Sequence, residues 1–473
     1  MVIAEDNGFL YTWNYGIKGR NGFGHFIRKI SMETGQEAYN VKIPEEKFNG
    51  YDLIYRDSYY HNGKVHVLYR TEKFSEDSIY LIKRTIDDLG VLSSPKIIVS
   101  GWLDDEDKLG NLFYTWNGKG SAPVAITSTK GPDGNVVINK IEFDLDLNPA
   151  QSHNYLFPHR FEQTQILAHL EENGKSYLLV GINQGGENPS AVILEISNGE
   201  LKSGGVRISH PHFSKLSLHT SGDNIRYSYL TFEDKKKKTL KGIHTYEVHF
   251  GGDPIKKTDY HFEEEFLDGI KEYSDWGTYK KSNYTIKRIV EQPNGGSVIS
   301  IHKTVGIKSM DDPYATGSFY SIDMIVTMVN SLDIIDRVHY FPIRSEHSSY
   351  LTVNNFCAFT PDGKYVEFFQ TSERTLKNWN AGIKYSRLGD GILVACIMSH
   401  DSTLQVQSLF DSEDFFFRFS PLNTYRISPD SRDYYVIGNK SYKSYNLIKI
   451  SIEGLIPGAQ DPRRDVIKYG YKW

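Results

Sequence analysis

The chain has 473 residues, 54 Lys and Arg against 59 Asp and Glu, and a net charge of −5. That balance leaves no electrostatic footprint for nucleic acid or an anionic membrane surface, and no apolar run approaches the roughly 20 residues that cross a bilayer. Apolar residues are 39% of the total while aromatics reach 13%, with 32 Tyr and 25 Phe, a bias that suits half-buried strands better than helices.

In chain order, the first 44 residues offer a short strand before Asn7-Gly8, then strands over 9–14, 25–31 and 37–43. Asn-Gly accepts the positive φ angles that a tight hairpin turn demands. The same apolar, turn, apolar pattern returns from Arg56 to Arg70 around Asn62-Gly63, and from Leu167 to Asn183 around Asn173-Gly174. It returns again around Gly222-Asp223-Asn224, Pro293-Asn294-Gly295, Pro361-Asp362-Gly363 and Pro429-Asp430-Ser431. The tetrapeptide Tyr11-Thr12-Trp13-Asn14 recurs as Tyr114-Thr115-Trp116-Asn117, beside the Asn117-Gly118 turn. Further strand-like runs follow each hairpin, such as Ser78 to Thr85 with Lys96 to Ser100, and Ala191 to Ile196 with Gly205 to Ile208. Each period therefore holds four strands. The period, roughly 50 to 70 residues, is that of a propeller blade or slightly above it.

The phrases Thr360-Pro361-Asp362-Gly363-Lys364-Tyr365-Val366 and Ser428-Pro429-Asp430-Ser431 resemble those of periplasmic and tryptophan-aspartate-type β-propellers. The resemblance implies blade geometry and carries over no catalytic residue. No Trp-Asp dipeptide occurs, and no Ser-x-Asp-x-Gly-x-x-Trp box supports a sialidase-like propeller. The expected fold is all-β: one β-propeller domain over 1–473, built of four-stranded antiparallel blades. The approximate blades are 1–44, 51–100, 111–158, 159–208, 212–262, 275–345, 347–421 and 423–473. The turn count favours eight. The number is seven if the first and last segments share a sheet, with the tail Val466 to Trp473 pairing to the first blade.

Some stretches stand apart from the strand pattern. Glu263 to Glu272 places Phe266, Leu267 and Ile270 at helical spacing and reads as one short helix. Lys303 to Gly317 and Gln370 to Ala381 read as insertions between strands. Lys235 to Lys238 with Lys241 reads as a solvated hairpin tip. The acidic loop from Trp102 to Asn111 puts Leu109 where a calcium loop needs an oxygen ligand. Cys357 and Cys396 sit in apolar runs and read as buried core residues rather than a disulfide. Residues 1–6 lack the basic start and apolar core of a signal peptide. The chain reads as soluble, its compartment unassigned and export left open.

Residues just before the innermost strand of each blade converge on one mouth of a propeller. Here those positions are Tyr51, Asp52, Asn111, His159, Arg160, His212, Asp275, Trp276, Glu346, His347 and Asn423. His159, Arg160, His212 and Tyr155, with Asp275 or Glu346, form the candidate catalytic set: a histidine base, an arginine grip on a carboxylate and a tyrosine proton donor. His153, Trp276, His347 and Tyr51 are candidate ligand contacts. Asp52, Asp275 and Glu346 are the carboxylates from which a glycosidase pair would be drawn. Against this stands the strong alternative that histidines before a strand, next to prolines, hydrogen-bond loop backbone and do nothing else. Neither His-x-His nor the His210-Pro211-His212 spacing specifies a metal, so no metal and no cofactor is assigned. No phosphate-binding Gly-rich loop, Gly-x-Ser-x-Gly elbow, His-Glu-x-x-His or Cys-x-x-Cys occurs. The leading expectation is a recognition or assembly module that binds a protein or polysaccharide partner, without nucleic acid or membrane insertion. The alternative is a carbohydrate-active lyase or hydrolase.

Overall fold

A computed structural model describes residues 2–17, 23–34, 36–44, 47–73, 78–102, 112–115, 123–182, 190–197, 199–233, 239–273, 282–293, 295–306, 316–343, 345–349, 356–381, 392–400, 404–409, 424–426, 433–441, 444–451 and 463–470. The first sheet is β1 (Val2–Asp6), β2 (Phe9–Ile17), β3 (Phe23–Ser31) and β4 (Glu37–Ile43), followed by a small pair, β5 (Lys47–Phe48) and β6 (Tyr51–Asp52). The second is β7 (Ile54–His61), β8 (Lys64–Lys73), β9 (Ser78–Ile86) and β10 (Lys96–Trp102); the third is β11 (Leu112–Thr115), β12 (Val124–Lys130), β13 (Asn135–Phe143) and β14 (Pro149–Arg160). The fourth is β15 (Thr164–Glu172), β16 (Lys175–Ile182), β17 (Ser190–Ser197) and β18 (Glu200–Gly205); the fifth is β19 (Ser217–Ser221), β20 (Asn224–Phe232), β21 (Leu240–Glu247) and β22 (Ile255–His261). The sixth has β23 (Ser282–Glu291), β24 (Ser297–Gly306), β25 (Thr316–Val329) and β26 (Ile335–Phe341), with β27 (Ser345–Ser349) also paired to β25. β28 (Phe356–Phe359), β29 (Tyr365–Thr371), β30 (Ile392–Met398) and β31 (Leu404–Ser408) make the seventh, and β32 (Thr424–Arg426), β33 (Asp433–Ser441), β34 (Ser444–Ser451) and β35 (Arg463–Gly470) the last. Among the described residues this gives seven four-stranded sheets and one of five strands, all antiparallel meanders.

The described sequence turns are the links between first and second strands; Asn117-Gly118 and Pro429-Asp430-Ser431 lie outside the described residues. Asn7 and Gly8, Asn62 and Gly63, and Asn173 and Gly174 all have positive φ, from 48° to 79°, as a two-residue turn matched to strand twist requires. Gly222, Gly295 and Gly363 supply the same conformation in three later sheets.

Alternate residues of each sheet face opposite neighbours, and consecutive sheets share their cores. Tyr11 and Ile27 pack with Tyr55 and Val67; Leu68 and Ile79 with Ala125 and Phe143; Ile126 and Phe157 with Leu178 and Val180. Further round, Tyr177 and Ile193 meet Tyr227 and Tyr246, Leu230 and Ile243 meet Ile299 and Ile325, and Val326 and Phe341 meet Phe369 and Val394. β1 lies against β32 and β33, which brings the first sheet onto the last. The result is a propeller ring.

Among the described residues, two short α-helices sit at its seams. α1 (Glu264–Tyr273) falls where the helical spacing placed it, with Ile270 buried and Phe266 and Leu267 packed on the core between the fifth and sixth sheets. Glu264 and Glu265 in its first turn complement the helix dipole. α2 (Glu373–Asn380), inside the expected insertion from Gln370 to Ala381, was not foreseen as a helix. Ser372 caps it, accepting from the Thr375 N–H at 3.0 Å, and Trp379 packs 5.1 Å from Phe341.

Several expectations need correction. The tail does not join the first sheet: β35 pairs with β34 inside the last sheet, and β1 pairs with β2. The run from Gly205 to Ile208 is largely connector, because the turn at Gly199 (φ +79°) starts β18 at Glu200. The stretch from Lys303 to Gly317 is partly strand, with Gly306 of β24 opposite Phe319 of β25. Cys357 and Cys396 are both free, as read. Each is registered against Glu367 of β29, on opposite sides, so two strand spacings, about 10 Å, separate them, beyond disulfide reach. The acidic loop after Trp102 and Lys235 to Lys238 lie outside the described residues.

Candidate functional site

Burial locates the channel. The first strands β15, β19 and β23 are mostly half-buried along their described lengths, while the second and third strands behind them are largely buried. A first strand has a hydrogen-bonded neighbour on one side only, and its other side faces the ring axis.

Arg56 is the extra residue of a β-bulge in β7, where the register slips between Tyr55 and Asp57. Bulges of this kind re-aim side chains; similar slips occur in β1, β15 and β23. Beyond the bulge, Asp57 Oδ1 accepts the Ser58 N–H at 2.7 Å. Loss of hydration raises this carboxyl from its ordinary 3.8 to about 6, only partly countered by that hydrogen bond. Tyr114 comes from β11, the first strand of the next sheet. Burial raises its phenol, and the charge of Asp57 adds to the effect, so the group stays a neutral donor. Among the described residues its hydroxyl has no hydrogen-bond partner. On β19, burial lowers His219 to about 4, the backbone of Ser217 opposing and Arg226 assisting, so the imidazole is neutral; its Nδ1 also lacks a partner. Arg288 of β23 reaches sideways to Glu367 at 3.3 Å. The first strands thus present an acceptor that changes charge near neutrality, a phenol donor and a neutral imidazole.

The residues singled out from the sequence lie elsewhere. His153, Tyr155, His159 and Arg160 all belong to β14, the outermost strand of its sheet. His153 is exposed and 3.3 Å from Gln151 Oε1. Tyr155 is buried in the core between the third and fourth sheets. His159 packs its ring 4.4 Å from Phe157, and exposed Arg160 donates to the Asp133 carbonyl at 3.1 Å. His212 sits in the connector before β19, its carbonyl accepting from the Phe232 N–H. The whole fourth sheet separates it from β14. Tyr51 and exposed Asp52 form β6 just ahead of β7, as expected of residues leading into a first strand. Glu346 and His347 instead lie on β27, opposite Tyr320 and Phe319. Asn111, Asp275, Trp276 and Asn423 lie outside the described residues.

Asp57, Tyr114 and His219 lie inside first strands, whereas the sequence expectation covered only the residues ahead of them. The usable signal was the distance back from the Asn-Gly turn, which fixes where the first strand lies and therefore which residues line the axis.

No family model matches this chain, and no curated protein does. Among solved structures, it is similar to the β-propeller domain of the Trilobed protease from Pyrococcus furiosus, at 10% identity and TM-score 0.36, over 87% of this chain and 95% of that one. It is also similar to a GH43 endo-arabinanase from Bacillus licheniformis (12% identity, TM-score 0.26, 54% of this chain and 95% of that one). A third is a puromycin hydrolase (7%, 0.38, 89% of this chain and 54% of that one). Likenesses this distant carry nothing about activity.

Proposed function

We propose that this propeller is a recognition module that takes a hydroxyl-rich ligand, a glycan, against the channel wall formed by Asp57, Tyr114 and His219. The observation that carries the reading is the Tyr114 hydroxyl, without a hydrogen-bond partner among the described residues, under the influence of a carboxyl pushed up to about 6. Buried polar groups are ordinarily satisfied, and a sugar hydroxyl both donates and accepts, so one hydroxyl can answer the Asp57 acceptor and the Tyr114 donor, while His219, two sheets further round the channel, would meet another part of an extended glycan. The enzymatic alternative would use Asp57 as a general acid or base, for which titration near 6 is suited. Hydrolysis with two carboxylates has less support: among the described residues no second carboxylate bears on Asp57, and that chemistry needs a pair.

The test is titration of a glycan panel into the wild type, Asp57→Asn, Tyr114→Phe and His219→Ala, with reducing ends assayed in parallel. A hydrogen bond to a charged group contributes about 1.5–3 kcal/mol, so Asp57→Asn is expected to weaken binding roughly 10- to 100-fold without new reducing ends. Reducing-end release abolished by Asp57→Asn would transfer the site to the enzyme reading. Binding indifferent to all three substitutions, or capture of a protein with no glycan bound, would overturn the glycan proposal.

A further inference from the structure

The seam between the fourth and fifth sheets holds a second cluster, independent of the channel. His244 of β21 and Asp259 of β22 face each other in register. His261 lies further along β22, and the connector after β18 lays His210 over them, its neighbour Ser209 donating its N–H to the Tyr229 hydroxyl at 3.2 Å. The ring centroids of His210 and His244 are 4.7 Å apart, those of His244 and His261 5.8 Å, and those of His210 and His261 6.3 Å. Imidazoles bound to one tetrahedral zinc, with nitrogens 2.0–2.1 Å from the ion and ring centres about 1.1 Å beyond, have centroids about 5.2 Å apart.

We infer that His210, His244, His261 and Asp259 form a binding site for a zinc-class divalent cation. The second observation is at His244, whose side chain is 1% exposed. Its Nε2 is 3.2 Å from the Thr231 hydroxyl oxygen, a partner of the kind that fixes a ligating ring by accepting its other N–H. In that tautomer the Nδ1 lone pair is on the side of Asp259 Oδ1, 2.8 Å away, and a cation taken up by both would open that separation to the edge of a zinc tetrahedron, about 3.3 Å. His261 Nε2 is 3.9 Å from the same carboxylate oxygen.

Lys256 occupies Asp259 Oδ2, leaving Oδ1 to the cluster. As the side chains stand, the four groups do not meet at one point. His261, 52% exposed, and His210, half-buried, close the site by rotating about their side-chain bonds. Three imidazoles and one carboxylate favour zinc, cobalt or nickel over magnesium and calcium, which need oxygen ligands. Lys256 and Lys241 nearby further disfavour a cation held by charge alone.

The experiment uses the full chain without a polyhistidine tag, stripped with a chelator. Zinc is titrated calorimetrically and Co(II) spectroscopically. The expected result is one ion per chain, visible absorption of tetrahedral Co(II), and no binding of magnesium. His210→Ala and His261→Ala, both at the accessible edge, should each weaken zinc at least tenfold and reduce the Co(II) absorption while leaving the metal-free melting temperature within a degree. Stoichiometry below one half, an octahedral cobalt spectrum, or affinity unchanged in the His210→Ala, His261→Ala double variant would overturn the site.

Discussion

Asp57→Asn should stabilise the fold, and only above mildly acidic pH. Removal from water raises this carboxyl from 3.8 to about 6. Lifting the carboxyl from 3.8 to about 6 corresponds to about 3 kcal/mol by which folding disfavours the ionised form, or about 2–3 kcal/mol after allowing for water in the channel. Between pH 3.8 and 6 the folded protein binds more protons here than the unfolded chain, so this group makes stability fall as pH rises, and the penalty is complete above about pH 6. Asparagine keeps an oxygen for the Ser58 N–H without the charge. Urea unfolding of the wild type and Asp57→Asn should therefore differ by about 2–3 kcal/mol at pH 8 and by under about 0.5 kcal/mol at pH 3.5. A variant less stable than the wild type at pH 8 would refute the reasoning, because the carboxylate would then have a cationic partner. Gained stability with lost ligand affinity is the trade expected of a binding residue.

Three other outcomes follow from the same geometry. Glu367 is fully buried between the sixth and seventh sheets, with Arg288 at 3.3 Å, His302 at 3.7 Å and the Tyr365 hydroxyl bonded to it. Glu367→Ala should cost about 3–5 kcal/mol in urea unfolding by stranding its partners. Desolvation would raise the Glu367 carboxyl, but Arg288 and His302 pull it below 4.5, so its contribution is present above that pH and fades on further acidification; acid titration of Glu367→Gln should lack that component. The double variant His159→Ala, Arg160→Ala should change stability by less than about 1 kcal/mol and leave glycan affinity intact, since both residues sit at the end of an outer strand.

The repeating hairpin was legible because its cause is local. Asn-Gly at 7, 62 and 173 asks for positive φ wherever it occurs, and the structure has it at each. The spacing of Phe266, Leu267 and Ile270 announced α1 for the same reason. α2 was hidden by its eight residues, too few for a clear helical period. Site residues were harder. His153, Tyr155, His159 and Arg160 gather on one strand, yet nothing in their spacing distinguishes an outermost strand from the approach to an innermost one.

The amino-acid order thus determined the strands, their turns and the periodic meander, since backbone preference and alternation act within a few residues. Which side chains face the axis was decided only by tertiary structure. A bulge at Arg56 re-aims Asp57, Tyr114 arrives from the neighbouring sheet, and His210, His244 and His261 meet because a connector crosses a seam. Each of those contacts joins separate strands, sheets or connectors, and depends on register and packing between them, which local propensity does not encode.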